Sequence, residues 1–257
     1  MKRKADSPPP PPPPPPLRLR QLGDPVLRVR GMEVAEERFG TPELAALCDG
    51  LVGAMRAANG AGIAAPQCGV SDRIFVVHGT GKNPRYPYKP AIPLTVFINP
   101  VLTVSGESVD LIEGCLSVPG VRGQVRRRVC ATVLARRPDG SRFRAEAEGH
   151  AAGTLQHEND HLDGVLFPDH AAPGPYGPEA LMTWAAFDEH YAPRFLPAAM
   201  ALRDEYPQGF RVLDGGGAEG GAGRAGAAQA AAVAGAGDRR HDSEVPAPGG
   251  GARVRST

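Results

Sequence analysis

Gln156-His157-Glu158-Asn159-Asp160-His161-Leu162-Asp163-Gly164 decides how the rest of this chain is read. On a helix, residues four apart project from one face about one turn from each other. His157 and His161 can therefore hold one metal ion between them. Glu158 stands beside them as a carboxylate able to move protons, a pattern that points to a catalytic metal centre. The spacing predicts a helix from Gly149 or His150 to about Asp163, with Leu155 and Leu162 turned to the core and Gly164 as its stop.

Two imidazoles leave a tetrahedral ion short of ligands. Downstream of the helix, His170, Glu179, Glu189 and His190 form no convincing ligand pattern. Upstream, Glu113-Gly114-Cys115-Leu116-Ser117 offers a cysteine between a predicted strand and a turn. A thiolate is softer and more electron-donating than a carboxylate, and it holds Fe(II) as well as Zn(II) or Ni(II). The fourth position then stays open for water, which the ion acidifies.

The surrounding chain reads as alternating order and punctuation. Thr41-Pro42-Glu43 opens a helix with a cap, a first-turn proline and an acid. Leu44, Leu47, Leu51, Met55 and Ala58 continue it at helical spacing, and Asn59-Gly60 ends it. A glycine-rich passage, Gly60 to Gln67, follows. Short apolar runs at Ile74 to Val77, Leu94 to Ile98, Val101 to Val104, Val109 to Ile112 and Val129 to Leu134 predict strands. Arg137-Pro138-Asp139-Gly140 predicts a turn into another strand at about Arg142 to Glu148. The proline-rich stretch from Gly79 to Pro93 reads as an irregular loop, and a last helix is predicted at about Pro178 to His190. This order predicts an α+β domain, its sheet mostly antiparallel and packed on the metal helix.

The two ends differ from this middle. Residues 8 to 16 are an unbroken proline run, extended polyproline II by composition. From residue 213 onward Gly and Ala dominate, too little apolar surface to offset ordering entropy, so the tail is expected to be disordered. The catalytic domain is expected at residues 17 to 212, behind a disordered segment at 1 to 16. A formal net charge of +1 gives no electrostatic footprint for nucleic acid or anionic membrane. Arg126-Arg127-Arg128 reads as a solvated strand end. No apolar stretch is long enough to span a bilayer, and Met1-Lys2-Arg3-Lys4 is followed by prolines rather than a secretory apolar segment. The four cysteines show no dense disulfide spacing, which suits a reducing compartment, and a cytoplasmic location is expected.

Three separated motifs resemble those of peptide deformylase, in that family's order. They are Gly60-Ala61-Gly62-Ile63-Ala64-Ala65-Pro66-Gln67, then Glu113-Gly114-Cys115-Leu116-Ser117, then Gln156-His157-Glu158-Asn159-Asp160-His161. Ile63 replaces a common Leu; the other two motifs match without departure. The resemblance extends from Gln21-Leu22-Gly23-Asp24-Pro25-Val26-Leu27 to Phe167.

It implies that Cys115, His157 and His161 bind one divalent metal, commonly Fe(II), with Zn(II), Ni(II) or Co(II) as substitutes. It implies that Glu158 acts as general base and then acid. The Gln67 side-chain amide and the Leu116 backbone N–H would stabilise the oxyanion, for roughly 3 kcal/mol each. Gly62 and Ile63 would contact substrate, with Ile63, Leu155 and Val118 as guesses for an apolar side-chain pocket. The implied substrate is an N-formyl-methionyl peptide, met near the ribosome's nascent-chain exit.

Blander readings stand beside these. Glu113 is expected to form a structural ion pair with an arginine, Cys48 to pack in the core, and Cys130 to lie in a strand. Cys68 follows Gln67 and is not ranked as a ligand, and His78, His150, His170, His190 and His241 lack a partner pattern. Two other functions fit the helix alone. A metallopeptidase would want its third ligand downstream, and a structural metal protein would want four closed protein ligands.

Overall fold

A computed structural model describes residues 17–83 and 86–214. The expected proline run, most of the Gly/Ala tail and His241 lie outside the described residues.

Thr41 caps α1 (Pro42–Ala57) by accepting from Leu44 N through its side chain, with Pro42 in the first turn. Leu44, Cys48, Leu51, Val52 and Met55 form the buried stripe, and Asn59 leaves the helix at φ 53°. Then come β1 (Gly62–Ala64), a single 3-10 turn at Ala65–Cys68, β2 (Ile74–Thr80), β3 (Ala91–Cys115), β4 (Val118–Arg136) and β5 (Arg142–Glu148). The helix that carries His157 and His161 is α2 (Gly149–Leu162), followed by α3 (Phe167–His170) and β6 (Leu181–Thr183). A helical run closes the fold: α4 (Trp184–Ala186), a π turn at Phe187–Tyr191 and α5 (Ala192–Glu205), before β7 (Phe210–Asp214).

The strands form one antiparallel sheet in the order β1-β2-β3-β4-β5-β7, with β6 pairing beside β4. Alternation along β2 divides the core. Ile74 and Val76 join Leu44, Leu51, Met55 and Ile98 under α1. Phe75 and Val77 join Phe97, Val133, Phe143, Ala151, Leu155 and Leu162 under α2. Leu155 and Leu162 are fully buried, as the spacing predicts, and each burial is worth about 2 kcal/mol. The sheet thus carries α1 and α2 on opposite faces, and α2 is held where its histidines meet the end of β3. The fold class is as expected.

Several elements differ from the sequence reading. The runs expected as separate strands between Leu94 and Ile112 are one continuous β3, and β4 begins at Val118 rather than Val129. Pairing between β3 and β4 slips between Ser105 and Ser108, where Gly106 sits at φ 78°, so a bulge replaces the expected break. The glycine-rich passage holds β1 and a 3-10 turn. The expected loop from Gly79 to Pro93 loses both ends to β2 and β3. The last helix begins at Trp184 and runs to Glu205, past two prolines, instead of starting at Pro178. β7 ends at Asp214, so the expected boundary at 212 falls within a strand. Arg126-Arg127-Arg128 lies mid-strand in β4 with Arg127 buried, because alternation turns the middle residue inward. Among the described residues, no helix is long and apolar enough to cross a membrane.

Candidate metal centre

α2 presents His157 and His161 one turn apart, with ring centroids 4.9 Å from each other and planes at 89°. Cys115 ends β3 beside them, its Sγ 3.3 Å from His161 Nε2. One ligand atom from each of Cys115, His157 and His161 lies within 4.8 Å of the others. Among the described residues no downstream His or Glu joins this group. His170 instead lies 3.3 Å from Asp160 Oδ2, and His190 pairs with Glu189.

The tight turn between β3 and β4 shapes the thiol's surroundings. Ser117 N donates to Cys115 Sγ at 3.4 Å, and the Gln67 side-chain amide donates to the same sulfur at 3.4 Å and to Ser117 Oγ at 3.1 Å. Gln67 is itself anchored by accepting from Ala64 N at 2.8 Å. Gln67 and Leu116 both line a cavity of about 610 Å³ that opens beside the metal centre.

Behind the imidazoles lies a buried ionic network. Glu113 Oε2 is 2.9 Å from His157 Nδ1, which must donate because a carboxylate only accepts. Arg127 grips Glu113 with two bonds, at 2.8 and 3.0 Å, and reaches Asp160 at 2.7 Å. Burial raises the Glu113 carboxyl, but its bonds to His157 and Arg127 outweigh that and hold it well below the usual range. Burial alone would depress His157, yet the thiol of Cys115 and Glu113 hold it well above its ordinary value. Burial, reinforced by the neighbouring His157, keeps His161 well below its ordinary value. This donor set, a thiol and two imidazoles backed by a carboxylate, is electrostatically made for a cation.

Glu158 is buried next to Cys115, His157 and His161, and among the described residues its Oε2 has no hydrogen-bond partner. Burial pushes its carboxyl up to about 7, against the pull of His157 and Lys89. A Cβ at Gly62 would collide with the Glu158 carboxylate, so the glycine makes room for this side chain. Gln156 is structural: it brackets Arg128 of β4, donating to its carbonyl at 2.8 Å and accepting from its N–H at 3.2 Å.

Gly62 lines the cavity as expected, but Ile63, Leu155 and Val118 do not. All three side chains are packed in core clusters instead. The cavity face of α2 is His150, Gly153, Thr154, His157 and Glu158, and Leu155 points away from it. The apolar wall comes from Ile92, Leu111 and Ile112 on β3, with Leu116 and Trp184. Sequence reasoning missed Ser117, Asp160 and the inward turn of Arg127. The alternation of β4 was the available signal for Arg127. Cys48 packs under α1 and Cys130 lies in β4, as read, and Cys68 packs with Cys48 rather than in the cavity.

A partly buried thiol-imidazole cluster beside a buried carboxylate, open to a cavity, is the site of a metal-dependent hydrolase. The polypeptide deformylase family profile matches residues 16–175. Peptide deformylase 2 of Bordetella bronchiseptica is 47% identical over 149 residues, covering 58% of this chain and 83% of the relative. The peptide deformylase of Desulforudis audaxviator is 44% identical over 152 residues, covering 59% and 90%. A class I type b peptide deformylase from Acinetobacter baumannii, bound to Met-Ala-Ser, superposes with a TM-score of 0.58 at 35% identity, covering 60% of this chain and 98% of that one. The chain belongs to the polypeptide deformylase family, and its activity is removal of the formyl group from the amino terminus of newly made polypeptides.

Proposed function

We propose that Cys115, His157 and His161 hold one divalent ion, natively Fe(II), and that Glu158, Gln67 and Leu116 carry out deformylation around it. The observation that carries this reading is the convergence of the three ligand atoms within 4.8 Å at a cavity wall that also holds Glu158. When bound, such an ion supplies Lewis acidity toward water and the formyl carbonyl. Zn(II), Ni(II) and Co(II) suit the same donors.

Glu158 takes the proton of the attacking water and delivers it to the departing amine. A carboxyl pushed up to about 7 both accepts and returns a proton near neutrality. Gln67 Nε2, releasing one N–H from its long contact with Cys115 Sγ, and the Leu116 N–H donate to the oxygen that gains charge, each worth roughly 3 kcal/mol. The register of β1 on β2 leaves the Gly62 carbonyl and N–H open to the substrate backbone, while Ile63 is paired to Val76 and serves by holding β1 in place. The methionine side chain lies against Ile92, Leu111 and Ile112. Substrate arrives as a nascent chain near the ribosome, in the cytoplasm.

The test is formate release from formyl-Met-Ala-Ser by protein prepared without oxygen, paired with metal analysis. Stoichiometric metal with turnover of the formylated peptide, and none of its unformylated twin, is the expected result. Metal without turnover would leave a structural site, and cleavage of a peptide bond in the unformylated peptide would make the chain a metallopeptidase.

A further inference from the structure

Outside the metal centre, three cations line the cavity: Arg56, Lys89 and Arg122. Two carboxylates share it, Glu113 and Glu158. Glu113 is already engaged by Arg127 and His157, and Glu158 belongs to the reaction. Lys89 feels Glu113 and Glu158 across the cavity, but no carboxylate pairs directly with any of the three cations among the described residues, so the cavity wall that carries them retains positive charge.

That wall is constructed rather than incidental. Arg122 is 3% exposed, and its guanidinium carbon lies 4.4 Å from the ring centre of Trp184, 4.8 Å from Phe187 and 5.1 Å from Tyr86. It donates to Tyr86 Oη at 3.0 Å, and among the described residues its buried Nε has no partner. Lys89 Nζ stands 5.9 Å from the centre of the same Tyr86 ring. Aromatic faces hold both cations in place without neutralising them. Burial pulls the Lys89 ammonium below its ordinary value, a cost that a bound anion would offset. Trp184 and Phe187 come from a segment beyond residue 175, where the family match ends.

A formylated amine carries no charge, so the reacting end of the substrate neither attracts nor repels these cations. The nascent chain's own carboxyl terminus is remote. Of the groups an intact substrate brings to this wall, the side chains that follow the formyl-methionine are the ones that can carry negative charge. We propose that Lys89 and Arg122 select substrates with an acidic side chain at the second or third position. This selection rests on the deformylase reading of Cys115, His157, His161 and Glu158.

The test uses the metal-loaded full chain and C-terminally amidated peptides, so that no terminal carboxylate imitates a side chain. Formyl-Met-Ala-Ser, formyl-Met-Asp-Ser, formyl-Met-Ala-Asp, formyl-Met-Lys-Ser and formyl-Met-Ala-Lys are compared by kcat/KM. The better acidic peptide is expected to exceed its lysine counterpart by about tenfold at low ionic strength, falling as salt is added. Lys89→Met should lower that ratio severalfold, chiefly through KM, and Lys89→Arg should preserve it. Turnover of all five peptides without charge preference would overturn this inference alone, as would a ratio unmoved in folded Lys89→Met. No turnover of any peptide would overturn the deformylase reading and this inference with it.

Discussion

Glu113 Oε2 lies 2.9 Å from His157 Nδ1, so a carboxylate on β3 sets which nitrogen of an imidazole on α2 is free to bind metal. With the proton held on Nδ1, the Nε2 lone pair is left for the ion. Glu113→Gln should weaken metal binding by about 10- to 100-fold. Chelator competition with Zn(II) or Co(II) measures this directly, and an unchanged affinity would make the contact merely structural.

Glu158→Ala should leave the metal in place and lower kcat by about 10²- to 10⁴-fold, the usual worth of a positioned acid-base group. Metal analysis and formate release on the same preparation separate the two effects. A variant with near-normal rate refutes the proton-transfer role.

Gly62→Ala tests the same carboxylate from the other side. The added methyl occupies the position of the Glu158 carboxylate, so one of the two must move. Activity should fall by at least about 100-fold, because displacement of an aligned catalytic group by about 1 Å costs that much. Retained metal distinguishes this from collapse of the site.

Gln67→Ala removes one of the proposed oxyanion donors and should cost about 10²- to 10³-fold in kcat. KM should change much less. If KM carries the loss instead, Gln67 binds ground-state substrate and has no special hold on the transition state.

His150 offers a stability test away from the ligands. Its Nε2 lies 2.8 Å from the Ala199 carbonyl of α5, and its ring packs 4.8 Å from that of Tyr88. Burial, outweighing the bond to Ala199, brings its value down to about 4 from the usual 6.5. The unfolded chain therefore binds the proton first. The resulting stability is complete above pH 6.5 and is lost as pH falls toward 4. Between pH 7.5 and pH 5 this amounts to about 2 kcal/mol. Chemical denaturation should show the native chain losing that much more than His150→Gln over the same interval; equal losses would contradict it.

α1 and α2 were legible in the sequence because caps, periodicity and terminal glycines agree at each. The meeting of Cys115, His157 and His161 was legible because metal-ligand chemistry narrows the choice of residue, and the structure brings the three together. The pocket was not. Ile63, Leu155 and Val118 were chosen by apolar character and nearness in sequence, whereas the face decides: Leu155 lies two residues from His157 and points the opposite way. The continuity of β3 was hidden because Gly106 and its polar neighbours look like a turn, while a bulge carries the strand through. Prolines within α5 concealed the last helix for a similar reason, since a helix tolerates them once tertiary packing supports it.

The proposed ligands sit on two separate pieces of architecture, Cys115 at the end of a strand and both imidazoles on the helix that crosses the sheet. An ion seated among them is thus also a rivet. It clamps hairpin to helix, so resistance to melting must track the free concentration of the ion, and starving the protein of metal loosens its framework as well as silencing its chemistry.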